Sequence, residues 1–235
     1  AYVSEYGDDD ANGLPNWFER YYFGQWTGTD PKADPDGDGK SNLQEYREGT
    51  DPRNPPPAYP AGYRWDAAAA FDPKSAAYPI LDSLGSKIWE FEFLPRESKT
   101  GRYQAAGLLV PQIPAWLERG DSWEFGIGRP VEGALTFFGA GDSASSLVWT
   151  SPLEGRVALT VTLSRDQVDG PVRANLRREG EAAPLWEAEL TPAGDLPKLS
   201  RTVAVSRGDR LRLALQGKPG GPAWSVRVAW GIALE

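Results

Sequence analysis

The sequence predicts a mainly β protein: an antiparallel, two-sheet, jelly-roll-like sandwich preceded by a small region of loops and short helices. Three observations predict it. From about residue 84 onward, apolar and polar residues alternate with period two, the pattern of half-buried strands. Glycine- or proline-containing turns separate many of these runs, and no long helical pattern intervenes. The acids gather at the other end: residues 1–57 hold twelve acids and five bases, whereas the remaining 178 hold 21 and 20.

The alternation is most regular in four runs. Trp89, Phe91 and Phe93 alternate with Glu90 and Glu92; Val157, Leu159, Val161 and Leu163 alternate with Ala158, Thr160 and Thr162. Leu211, Leu213 and Leu215 alternate with Arg210, Arg212 and Ala214; Trp224, Val226, Val228 and Trp230 alternate with Ser225, Arg227 and Ala229. Eleven strands are expected, near 87–94, 102–110, 122–127, 134–139, 146–150, 155–164, 171–178, 184–190, 199–205, 209–216 and 223–233. Upstream, Leu14, Phe18 and Tyr22 have helical spacing, and Leu43, Tyr46 and Arg47 mark a shorter helix. The two apolar stripes are expected to pack on each other or on the following domain. Residues 53–60 read as a stiff polyproline-type spacer. The expected division is 1–52, a proline-rich linker and irregular wrap at 53–83, and a sandwich at 84–235.

The acidic region carries the sharpest motif. Residues 34–45 read Asp-Pro-Asp-Gly-Asp-Gly-Lys-Ser-Asn-Leu-Gln-Glu, with oxygen donors in the order of a twelve-residue calcium loop. Asp34, Asp36 and Asp38 supply alternate carboxylates, Lys40 a backbone carbonyl, Asn42 an oxygen used directly or through water, and Glu45 a closing carboxylate. Asp8, Asp10, Asn12, Leu14, Asn16 and Glu19 repeat the pattern 26 residues upstream. A Gly-Thr-Asp-Pro tag follows each loop, at 28–31 and 49–52, so the region reads as an internal repeat holding about two Ca²⁺ ions.

On these residues, positions 7–52 resemble the thrombospondin type 3-like calcium repeats of secreted bacterial proteins, and more distantly dockerin and EF-hand loops. The resemblance implies that Asp30 and Asp51 of the tags are weaker candidate ligands. The eighth loop position, apolar in EF-hands, is Pro15 or Ser41, which speaks for a structural clamp over a calcium sensor. Pro15 would suit a helix's first turn. The region from 84 onward looks like the carbohydrate-binding-module type of sandwich.

Composition excludes other chemistry. The chain has no histidine, cysteine or methionine, which removes disulfides, thiolate nucleophiles, cysteine zinc sites and histidine acid–base catalysis. No basic footprint for nucleic acid and no membrane span is present. Calcium loops of this kind point to a secreted, extracellular or cell-surface location, where the ion is plentiful, and a start at Ala1 suits a processed chain.

Carboxylates, Tyr, Lys and Ser remain as catalysts. Glu90 and Glu92 share a strand face, as glycosidase carboxylates could, but Glu187 and Glu189 repeat the spacing, and both pairs read as solvated faces. Among ten tryptophans, Trp89, Trp186, Trp224 and Trp230 are assigned to the core and Trp17 and Trp26 to packing of the calcium region; Trp116, Trp123 and Trp149 have no assignment. The segment Tyr2–Tyr6 could donate a strand to a second copy. The leading expectation is a non-enzymatic, calcium-stabilised structural or assembly protein, a cell-surface, matrix or filament subunit. The alternative is a carbohydrate-binding module that contacts polysaccharide, and a carboxylate- or Tyr-based glycosidase or lyase comes last.

Overall fold

A computed structural model of the chain describes residues 7–71, 80–94, 104–105, 108–109, 115–117 and 126–235. The segment Tyr2–Tyr6 and Trp123, and with them the strand-donation expectation, lie outside these residues. The described residues fall into two compact units divided between Ala58 and Tyr59.

The first unit contains α1 (Asn16–Phe23) and α2 (Asn42–Glu48). Their apolar stripes meet as expected: the rings of Phe18 and Tyr46 lie 5.3 Å apart, and Leu14 and Phe18 are buried. Pro15 stands one residue earlier than expected, as the extended N-cap of α1. Ser41 caps α2, and its hydroxyl and the Gln44 side chain exchange bonds with each other's backbone. Trp17 meets the rings of Phe18 and Tyr46 at 5.7 and 6.2 Å, yet neither it nor Trp26 is buried. They are 37% and 41% exposed, and the Arg20 guanidinium stacks over the Trp26 ring at 5.7 Å.

The second unit is a β-sandwich of two antiparallel sheets. Its strands are β1 (Arg64–Asp66), β2 (Ile80–Leu81), β3 (Lys87–Leu94), β4 (Gln104–Ala105), β5 (Leu108–Leu109), β6 (Ala115–Leu117), β7 (Gly126–Val131) and β8 (Ala134–Ala140). There follow β9 (Ala144–Thr150), β10 (Gly155–Val168), β11 (Val172–Arg178), β12 (Trp186–Leu190), β13 (Lys198–Val205), β14 (Arg210–Gln216) and β15 (Ala223–Leu234). One sheet runs β13-β10-β15-β8-β7-β6-β5, with β1 added against β15; the other runs β12-β11-β14-β9-β3-β2, with β4 on β3. From β8 onward nearly every connection passes from one sheet to the other, in the jelly-roll manner.

Alternation decides which side chains enter the core. Trp89, Phe91, the odd-numbered residues 157–163 and Leu211, Leu213 and Leu215 are all buried. The sheets interlock through tryptophans, Trp89 of β3 against Trp230 of β15 at 5.0 Å and Trp65 of β1 against Trp149 of β9 at 5.5 Å. Trp186, at the edge on β12, is only partly buried.

Residues 64–66 and 80–81, within the stretch read as irregular, are strands. Arg64 pairs with Ala233 and Asp66 with Gly231, while Gly62 N–H donates to Leu234 O and Leu234 N–H to Tyr63 O, both at 2.9 Å. Asp82 latches this segment to the β2–β3 turn. One of its oxygens accepts from Tyr59 Oη at 2.6 Å and Trp65 Nε1 at 3.0 Å. The other accepts from Leu84 and Ser86 N–H at 2.9 and 3.0 Å.

Candidate functional site

In the second loop the chain wraps its carboxylates into a cage. Asp34 accepts from Gly37 and Gly39 N–H at 2.8 and 2.9 Å, Asp36 from Asp38 N–H at 3.1 Å, and Asp38 from Lys40 N–H at 2.8 Å. Gly39 has φ +90°, the left-handed turn that the sixth loop position requires. One carboxylate oxygen from each of Asp34, Asp36 and Asp38 lies within 4.8 Å of the other two. Glu45 and Asn42 are buried on α2 beneath this loop.

Three buried oxygens, Asp36 Oδ2, Asn42 Oδ1 and Glu45 Oε2, have no hydrogen-bond partner. Leaving such acceptors unpaired is costly unless a ligand uses them. Burial, reinforced by Asp36, Asp38 and Asp34, raises the Glu45 carboxyl from 4.5 to about 7 against the bond from Thr50. Burial likewise raises Asp36, with Asp38 and Asp34 adding to it. Unpaired, mutually repelling hard oxygens fit a divalent cation of the calcium type. Lys40 contributes its N–H to the loop and its ammonium to Glu48.

The first loop is wired similarly. Asp8 accepts from Asn12 and Gly13 N–H at 3.1 and 2.8 Å, and Gly13 has φ +93°. Asn12 Oδ1 accepts from Leu14 N–H at 2.7 Å, and Asn16 Oδ1 from Asp9 N–H at 3.1 Å. Asn12 Nδ2 sits among oxygens of Asp10 at 3.1 Å, Glu19 at 3.4 Å and the Thr29 carbonyl at 2.9 Å. Glu19 is fully buried with Oε2 unpaired. The carboxylates of Asp30 and Asp51 instead close their own turns, on Lys32 and Arg53 N–H at 2.8 and 2.9 Å. The Asp30 backbone carbonyl accepts from Asn42 Nδ2 at 2.8 Å. Sequence reasoning missed the threonines of the tags, Thr29 and Thr50, whose bonds to Glu19 and Glu45 only the folded backbone reveals.

The sandwich offers a second site on the outer face of the sheet that contains β11, β12 and β14. Arg173, Asn175, Arg177, Glu187, Glu189 and Gln216 line an open trough of about 430 Å³. Asn175 stands opposite Glu187 on one side and Ala214 on the other. Arg177 bonds Glu187 at 3.0 Å, and Arg173 faces Glu189 at 3.7 Å. Further along the same sheet, Glu92 is 8% exposed, so the solvated reading of the Glu90–Glu92 pair is corrected. Glu92 is clamped by Arg210 Nη2 and Arg212 Nε, each at 2.7 Å. Arg210 also pairs with Glu90, and both arginines pair with Glu179 at 2.7 and 2.8 Å. The arginine alternation on β14 was readable, but its partners lie up to 120 residues away in sequence.

No protein-family model and no curated protein matches the chain, so the resemblance of residues 7–52 to calcium repeats rests on its motif residues. Solved structures do align with it. The C-terminal CBM6 of LamC, a marine laminarinase from Zobellia galactanivorans, is 19% identical over 48% of this chain and 89% of its own, with a TM-score of 0.31. The CBM22-1 xylan-binding domain of Paenibacillus barcinonensis Xyn10C is 16% identical over 47% and 80%, TM-score 0.32. TmCBM61, solved in complex with β-1,4-galactotriose, is 13% identical over 50% and 86%, TM-score 0.32. At these scores no residue, ligand or activity is carried over from them. All three are carbohydrate-binding modules. On that finding the leading expectation, a calcium-stabilised structural or assembly protein, is corrected. Among the described residues no helix is long and apolar enough to cross a membrane.

Proposed function

We propose that the sandwich is a non-catalytic carbohydrate-binding module and that residues 7–52 form a two-ion calcium unit in the same secreted or cell-surface chain. The trough on the outer sheet face carries the reading. Its amides, guanidinium groups and carboxylates present planar donor and acceptor pairs, which suit the vicinal hydroxyls of a sugar ring. Its two arginines and two glutamates balance in charge, which favours a neutral polysaccharide over an acidic one. The absence of catalysis is supported by the pairing of Glu90 and Glu92 with Arg210 and Arg212. Both Glu92 oxygens are occupied by guanidinium groups, so neither is free to approach a glycosidic oxygen.

In the calcium unit Asp34, Asp36, Asp38, Asn42 and Glu45 would hold one ion, and Asp8, Asp10, Asn12 and Glu19 the other, with Lys40 and Leu14 carbonyls completing the shells. Two bound Ca²⁺ ions would bring the net −7 of residues 1–57 to −3 and supply stability that so few apolar anchors do not.

A glycan array followed by affinity electrophoresis tests the trough. Retardation in at least one neutral polysaccharide is expected, with Asn175→Ala weakening it by roughly tenfold, the loss of a well-placed polar contact. Silence across neutral and acidic glycans, or binding that Asn175→Ala leaves unchanged, would overturn the assignment.

A further inference from the structure

The two tags that follow the loops are not passive turns. In each repeat the loop-closing glutamate is completely buried, with one carboxylate oxygen unpaired and the other tied by the threonine of the tag behind it. Thr29 reaches Glu19 Oε1 with its backbone N–H at 2.7 Å; Thr50 reaches Glu45 Oε1 with its hydroxyl at 3.2 Å. The threonines stand ten and five residues after their glutamates, so the recurrence is not a by-product of one local turn. Different chain lengths and different donor groups arrive at the same oxygen of the same ligand position.

We propose that the tag threonine is a positioning residue for the calcium-ligating glutamate, acting through its side chain in the second repeat and through its backbone in the first. The inference rests on the calcium reading given above. A carboxylate on a flexible two-methylene arm must be held with an oxygen toward the ion, and a donor on its other oxygen fixes that orientation. The Thr29 side chain is not needed for this, and its hydroxyl accepts from Gln25 Nε2 at 3.1 Å. The two threonines therefore differ in a way that mutation can read.

The test is a calorimetric titration of the whole chain with CaCl₂, for wild type, Thr50→Val, Thr50→Ser and Thr29→Val, with heat unfolding of each in chelator. Wild type is expected to bind two ions. Thr50→Val should weaken one of them by at least about tenfold, the range seen when a partner behind a ligand is removed, without lowering the calcium-free unfolding temperature. Thr50→Ser should restore affinity, and Thr29→Val should leave both sites within about twofold of wild type, its backbone donor being retained. Two wild-type sites that Thr50→Val leaves unchanged would overturn the positioning role alone, as would equal losses from Thr29→Val and Thr50→Val. No calcium uptake by wild type would overturn the calcium reading and the inference together.

Discussion

Replacing Glu92 by Gln isolates what the charged lattice on the outer sheet contributes. The side chain keeps its shape, but the carboxylate that accepts from Arg210 and Arg212 becomes an amide with one oxygen and one donor. That NH₂ must face a guanidinium, so one charge-assisted bond is lost and one contact turns repulsive. Stripping a partner from a buried ion pair costs about 3–5 kcal/mol, and exposed pairs are worth about 0–1 kcal/mol. The Glu92 side chain is 11% exposed and those of Arg210 and Arg212 are 29% and 17% exposed, which places the site between those limits. Both arginines keep Glu179, and Arg210 keeps Glu90, so neither is orphaned. The expected loss is about 2 kcal/mol, which in a unit of this size lowers the unfolding temperature by roughly 4–8 °C. Differential scanning calorimetry of the full chain in saturating calcium reads it. A shift below about 1 °C would mean that the lattice is a screened surface arrangement, and the estimate would be refuted. Calcium binding should be untouched in either case.

Two further predictions follow from other sites. Asp82→Ala removes the acceptor for Tyr59, Trp65, Leu84 and Ser86; a loss of about 3 kcal/mol is expected from charge-assisted bonds, read as a lower urea midpoint, and an unchanged midpoint would contradict the latch. Without calcium, the folded Glu45 carboxyl lies at about 7 against an ordinary 4.5. Its folded form thus holds a proton more tightly than its unfolded form, a contribution present below about pH 4.5 that is lost as pH rises to about 7. Calcium must displace this proton, so titrating ion at pH 6 should release close to one proton per second-loop site and at pH 8 almost none. Equal release at both values, measured by calorimetry in buffers of different ionisation enthalpy, would refute it.

The sequence made some of this legible because its cues are local. Asp34 to Glu45 carry their donors within one loop, and period-two runs such as Leu211–Leu215 show which face is inward without knowledge of the partner strand. What escaped is long-range. Trp65 sits in a three-residue strand too short to show a period, yet it is buried against Trp149. Glu92 alternates like any solvent-facing residue, and only β14 lying two strands over, beyond β9, supplies the arginines that bury it. The trough on β11 and β12 was invisible for the same reason as the lattice: its six polar residues come from three strands.

The pairing of β1 with the end of β15 has a mechanical consequence. The chain enters the sandwich at residues 62–64 and leaves it at 233–234, on adjacent strands running in opposite directions. A pull applied through those two points therefore opens the seam like a zipper, loading its backbone bonds one after another instead of sharing the strain among them. Under tension along the polypeptide, β1 should peel away first, withdrawing Trp65 from the core.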